Sequence, residues 1–322
     1  MSTTPSAGAR RLAAAAALVL APALTPAPAH AWDPTGHMVV ALIAWRHMSP
    51  AARQAAVAAL RAAPASTGIG ALRPAPGSVA NVDETFFVKA ATWPDVIKTA
   101  GVPGSALSRP GWHYTDLYWR LDATQHPVPV TSMHPASENA AERLGVLVPS
   151  LGTTATVVSG AGALPQGVRL AWVLHLVGDL HQPLHCSSRV TTANPHGDVG
   201  GNQFPLGASS PRDLHAYWDD VLDTAMPRGA HEPPMAYVAR IADRLEHDVP
   251  APSATDAASI AYAQWVQAGL AIAERDVYGT PMNHAPSTAY RDHAFGVAKP
   301  AIVLAGRRLA ATLDRALAPG SH

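Results

Sequence analysis

Cysteine is almost missing. The chain has 322 residues and one cysteine, Cys186, so no intrachain disulfide can form. Net charge is missing too. Lys and Arg number 23 against 23 Asp and Glu, and charged residues make up only 14% of the chain. No broad positive field exists to hold nucleic acid by counterion release alone. Any anionic substrate needs a local site, such as bound metal ions. No HExxH occurs, which argues against a metalloprotease. Heptads and internal repeats are absent, and strand-like alternation is scarce and short. The first apolar run, Leu12 to Leu20, is too short to span a membrane.

That run belongs to an expected secretory signal over residues 1–31. Arg10 and Arg11 supply the charged start, Leu12–Leu20 the apolar stretch, and Ala29-His30-Ala31 an A-x-A cleavage site. The rest of a twin-arginine signal is not evident, which favours the general secretory route. The mature chain, 32–322, would then begin at Trp32 and be secreted or periplasmic. Its free α-amino group titrates near ~8 and can lose a proton to a metal.

Hydrophobics are 48%, enough for a sizeable core, and histidine is unusually frequent at 16. The densest stretch runs from His175 through Asp179 and His181 to His185, after the oily residues Leu170, Trp172, Val173 and Leu174. The run predicts a buried helix, with His175 and Asp179 on one face and an end near Gln182, before Pro183. A single His-x3-Asp is ordinarily a hydrogen-bonded pair. The crowding here, and a second such pair at His215 and Asp219, point instead to cation ligands. Cys186 reads as a small packed residue. Helices are expected over 38–48 with Thr35 as cap, over 51–62, toward Trp93, and over 137–150, 233–247, 256–277 and 287–317. Residues 63–80 read as loop and Gly111–Leu117 as a short extended segment. The expected fold class is mainly α, in one domain.

Collected along the chain, these motifs resemble the zinc-dependent S1/P1 nucleases, which are related to zinc phospholipase C. They are Trp32 with His37, Trp93-Pro94-Asp95, Trp112-His113-Tyr114-Thr115-Asp116, His175-x3-Asp179 with His185, Gly200-Gly201-Asn202, and His215-x3-Asp219. The likeness spans about residues 32–317. It implies a single-domain helical fold of the phospholipase C/P1 nuclease type with a trinuclear zinc cleft. Asp95, His113, His175 and Asp179 would hold one zinc. The Trp32 amino and carbonyl groups, His37 and the shared Asp179 would hold another. His185, His215 and Asp219 would hold the third, more exposed ion. Two closely spaced cations would lower the pKa of a bridging water so that it is available as hydroxide, and Asp95 is the candidate base. The resemblance also implies that Lys98 clamps transition-state charge, Tyr114 stacks a base, Asp116 bonds its edge, and Val199 and Asn202 complete the substrate pocket. His181 has no matched role, although contact with the ligands is open to it. The segment from Cys186 to Val199 is longer than in fungal members, which also carry disulfides that this chain cannot form.

The implied activity is endonucleolytic hydrolysis of RNA and single-stranded DNA to 5′-phosphorylated products, with 3′-nucleotidase activity. No protein partner is implied, and a monomer is expected. A phospholipase C with the same metals is the alternative enzyme. Two features argue against it: the short spacing of His37 from Trp32, and Asp219 where the lipases carry Glu. A non-catalytic zinc-binding protein is the third reading.

Overall fold

Trp32 and Asp33 tie the chain to two distant segments. Trp32 is fully buried, its indole Nε1 donating to the Gly178 carbonyl at 3.0 Å. The Asp33 amide donates to the Asp219 carbonyl at 3.2 Å. The computed structural model describes residues 32–152, 157–159, 162–207 and 211–318, with Met1. The expected signal, with its cleavage point at Ala31, lies outside the described residues apart from Met1.

Asp33, not Thr35, caps helix α1 (Pro34–His47), its carboxylate accepting from the Gly36 amide at 2.9 Å. Pro34 suits the first helical position because it has no N–H to leave unpaired, so the helix starts earlier than Thr35 would allow. The Thr35 hydroxyl donates instead to Asp223 Oδ2 at 3.2 Å. Helix α2 (Pro50–Arg61) follows a Ser49 cap and buries Ala52, Ala56, Val57 and Leu60. The expected loop over 63–80 holds two 3-10 turns, Ala65–Thr67 and Ile69–Leu72, pinned by buried Ile69. Asn81 caps α3 (Val82–Ala90), and the single turn α4 (Trp93–Val96) carries Asp95.

Gly111–Leu117 departs from its extended reading. Pro110–His113 is a 3-10 turn, which the fixed φ of Pro110 favours, and the strand β1 starts only at Leu117 (Leu117–Leu121). Strand β2 (Pro127–Pro129) pairs with it antiparallel. Asn139 caps α5 (Ala140–Ser150), and two short antiparallel strands, β3 (Val158–Ser159) and β4 (Gly162–Ala163), precede the central helix.

That helix, α6 (Gln166–Asp179), is buried at every position from Gly167 onward. A helix buried on every face must be covered on all sides, and α1, α2, α4, α5 and α12 cover it. It ends at Asp179, ahead of the expected Gln182. Tight bonds from the His181 amide to Gly178 O and the Gln182 amide to Asp179 O close the turn. Pro183 then holds Gln182 in an extended conformation, and a 3-10 turn, Pro183–His185, presents His185. Strand β5 (Ser187–Arg189) lies parallel to β1, pairing Ser187 with Leu117.

The remaining named elements are helices: α7 (Leu214–Asp219), α8 (Val221–Ala225), α9 (Pro234–Asp248), α10 (Ala254–Ala258), α11 (Tyr262–Ile272) and α12 (Thr288–Leu317). The helix expected over 256–277 is therefore broken. Extended Ser259 separates α10 from α11, and a π-helical turn, Ala273–Val277, ends it. The long α12 crosses α1 where Gly306 sits; a Cβ there would lie 2.5 Å from Ile43 Cγ2. The buried apolar residues from Trp32 to Ala318 form one connected core. The fold is mainly α, as expected. No helix among the described residues is long and apolar enough to cross a membrane.

Candidate metal centre

Six segments, α6 among them, bring their polar side chains together at one end of α6. His37 comes from α1, Asp95 from α4, His113 from the turn before β1, and His175 and Asp179 from the last turn of α6. His185 comes from the following turn, and His215 and Asp219 from α7. Three buried groups result: His37, His175 and Asp179; Asp95, His113 and His175; and His185, His215 and Asp219. Within each, the donor atoms lie within 4.8 Å of one another.

Asp179 stands between the first two. Its Oδ1 is 3.4 Å from both His37 Nε2 and His175 Nε2, and its Oδ2 is 3.2 Å from His113 Nδ1. Asp95 Oδ1 is 3.6 Å from His175 Nε2 and 3.9 Å from His113 Nδ1. In the third group, His215 Nε2 lies 3.4 Å from Asp219 Oδ2 and 3.1 Å from His185 Nε2.

Backbone oxygens set the histidine tautomers. His175 Nδ1 donates to Ala91 O at 2.8 Å, His185 Nδ1 to His113 O at 2.7 Å, and His215 Nδ1 to Gly200 O at 2.7 Å. A carbonyl can only accept, so each Nδ1 carries the proton and each Nε2 presents a lone pair. His185 and His215 thus aim two lone pairs at each other, an arrangement that a shared cation relieves. Both ring nitrogens of His37 and the Oδ1 of Asp179 are buried without a hydrogen-bond partner. Orphaned buried polar atoms of this kind are costly, and a cation satisfies them. These residues therefore fit metal ions.

The electrostatics agree. Burial pushes the Asp179 carboxyl well above the usual range, and the neighbouring Asp95 adds to it. Burial does the same to Asp219, against the lowering hydrogen bond from Gln182. Burial first, then nearby cationic or imidazole groups, hold His37, His113 and His185 well below the ordinary histidine value. Their imidazoles are neutral, the form that a metal takes.

A cleft of about 240 Å³ opens beside these groups. His113, His185 and His215 line it together with Lys98, Tyr114, Asp116, Val199 and Asn202. Lys98 is nearly buried, with Nζ 2.7 Å from Asp95 Oδ1, so it is no solvated loop lysine. Tyr114 is 37% exposed and Val199 51%. Burial, reinforced by Asp198, pushes the Asp116 carboxyl well up. Val199 has φ +55°, an unusual conformation for a β-branched residue, and Gly200 and Gly201 continue the left-handed run. The Asn202 side chain donates to Val199 O at 2.7 Å, closing that turn. Strain of this kind collects at functional sites.

Trp32 sits against this centre through its indole, and a Cβ on Gly178 would come within 2.8 Å of His37 Nδ1. His181 stays outside. Its Nδ1 donates to Val177 O, its Nε2 faces Arg308, and burial with that arginine lowers its pKa to about 3. Cys186 is buried and packed, with its thiol pushed up by burial.

Sequence reasoning missed the supports. Gln182 Nε2 donates to Asp219 Oδ1 at 2.7 Å, and only its place inside the His181–His185 motif hinted at this. The carbonyls of Ala91, His113 and Gly200 carried no signal at all. Asp198, bonded to the Arg189 amide at 2.9 Å and the Tyr278 hydroxyl at 2.7 Å, anchors the start of the Val199 turn. Ser108, Pro110 and Leu184 also line the cleft unannounced.

No curated protein matches the sequence. The model of the S1/P1 Nuclease family matches residues 32–318, so the chain belongs to the S1/P1 nuclease family and is a nuclease-type hydrolase acting on phosphodiester bonds, with nucleic acid as its substrate class.

Proposed function

We propose that residues 32–322 form a secreted or periplasmic, zinc-dependent endonuclease domain, released from a 1–31 leader. It would cut RNA and single-stranded DNA to 5′-phosphorylated products and also act as a 3′-nucleotidase. One observation carries this reading. The same cleft is lined by His113, His185 and His215 and by Tyr114, Asp116 and Val199. A base stacked on Tyr114 and capped by Val199 leaves its phosphate beside the histidines. Stacking tolerates any base and contributes about 1–3 kcal/mol. An acid reading the base edge needs that edge unpaired, which favours single strands. Asn202 holds the turn that carries Val199.

Three zinc ions fit the donor set, which is all nitrogen and oxygen. Asp95, His113, His175 and Asp179 would hold one; the Trp32 amino and carbonyl groups, His37 and Asp179 a second; and His185, His215 and Asp219 a third. Bound zinc supplies Lewis acidity and a water of lowered pKa. The chain's own residues do the rest. Asp95 takes the proton of the attacking water, Lys98 balances the charge that builds on the phosphoryl oxygens, and the P–O3′ bond breaks to leave a 5′-phosphate, the departing O3′ taking up a proton from solvent to become the 3′-hydroxyl.

The test uses mature protein starting at Trp32. Zinc content is measured, with turnover of single-stranded DNA, duplex DNA, RNA, a 3′-nucleotide and phosphatidylcholine. About three zinc per chain and 5′-phosphorylated products from RNA and single strands are expected. Cleavage of phosphatidylcholine alone would move the chain to the phospholipase reading. Bound zinc without turnover of any substrate would leave a non-catalytic zinc protein.

A further inference from the structure

We propose that Gln182 is a positioning residue for the His185, His215 and Asp219 group, one that keeps Asp219 to a single coordinating oxygen. The proposal rests on reading that group as a zinc site. Gln182 is fully buried, and both ends of its amide are used. Nε2 donates to Asp219 Oδ1 at 2.7 Å. Oε1 accepts from the Leu184 amide. The amide orientation follows from this second bond, since only the oxygen end can accept from an N–H.

Each bond governs one member of the group. The bond to Leu184 caps the 3-10 turn that carries His185. The bond to Asp219 engages Oδ1 and turns Oδ2, which faces His215 Nε2 at 3.4 Å, toward the place of an ion. A carboxylate bound through one oxygen leaves a coordination position that a bidentate carboxylate would fill. Two histidines and one carboxylate oxygen give three protein ligands, the open arrangement of catalytic zinc. Gln182 thus keeps a place for a phosphate oxygen of the substrate and holds Asp219 and His185 in register with each other.

A plain structural reading makes Gln182 only a turn cap. Gln182→Glu separates the two, because it keeps an acceptor for the Leu184 amide, loses the donor to Asp219, and sets two carboxylates face to face. Gln182→Met, of similar size, removes both bonds.

Zinc-loaded mature chains are dialysed against graded chelator, zinc per chain is counted, and melting of the metal-free chain is followed by circular dichroism. Loss of a hydrogen bond to a metal ligand typically weakens metal binding by about 10–100-fold. The most readily lost ion is therefore expected to leave Gln182→Glu at about 10–100-fold lower chelator. The other ions should be released along the wild-type curve. Gln182→Met should lose the same ion and also melt lower. A folded variant of either kind that releases zinc along the wild-type curve would overturn the proposal, as would loss of all ions together. A wild type that takes up no zinc would instead bring down the site reading, and this proposal with it.

Discussion

Gly178→Ala probes the centre with one methyl group. The added Cβ would stand 2.8 Å from His37 Nδ1 and 3.1 Å from His37 Cε1, where ordinary contact begins near 3.4 Å. His37 must therefore shift by about half an ångström, whereas metal–ligand distances tolerate about 0.2 Å. Its stacking on His175, with ring centroids 3.7 Å apart, limits escape on that side. For stability two effects oppose each other. Alanine is favoured over glycine within a helix by about 0.8–1 kcal/mol. Overpacking a filled site costs about 1–3 kcal/mol. The net destabilisation is about 0–2 kcal/mol, a few degrees of melting temperature for a chain of this size. The metal effect should be far larger than the stability effect. Zinc per chain is counted after gel filtration, and melting is recorded with and without chelator. The expected variant is folded, melts in chelator within a few degrees of the wild type, and holds one ion fewer. Full zinc content with unchanged melting would refute the assignment of His37 as a ligand in tight contact with α6.

Other perturbations follow from the same geometry. A residue left in front of Trp32 turns the free amine into an amide and should remove one ion and most activity, read by comparing turnover and zinc content before and after trimming to Trp32. Asp179→Asn should lose more activity than Asp219→Asn, because Asp179 faces His37, His175 and His113 while Asp219 faces one group; the reverse order in kcat would contradict the shared role. His181, with its pKa lowered to about 3, is neutral when folded, while its unfolded form binds a proton below about 6.5. Its contribution is complete above the unfolded value and is lost as pH falls toward 3, by up to about 1.4 kcal/mol per pH unit. His181→Gln should flatten that acid limb when melting temperature is followed from pH 7 to 4 in chelator, and an unchanged limb would argue against a neutral His181.

The parts legible in the sequence were those written in residue type. The oily run before His175 foretold a buried helix, and the His-x3-Asp spacing foretold two ligands on one face. Thr35 misled because Ser, Thr, Asp and Asn all cap helices, and the choice of Asp33 depended on Pro34. The helix expected over 256–277 broke because its apolar period says nothing of where a chain must turn to meet a neighbour, here at Ser259 and Ala273. Gly111–Leu117 read as extended, while Pro110 set a turn at its start. The candidate ligands were visible as residues, yet their supports were not: Gln182 needed the position of Asp219, and the carbonyls under the histidines depend on the course of the backbone alone.

Those carbonyls bear on how such a centre can change. Three imidazoles owe their proton placement to main-chain oxygens at Ala91, His113 and Gly200. Every amino acid carries that oxygen, so random substitution at Ala91 leaves its acceptor in place. The arrangement is thereby buffered against drift in side-chain identity but exposed to insertions and deletions that reroute a loop. The stretch leading to Gly200 is where a change in length would act most directly, because Val199 and Gly200 supply the cleft wall and the His215 acceptor together. Lengthening or shortening it would alter access and imidazole orientation in one step, so diversification of this centre is expected to proceed by loop length more than by exchange of residues.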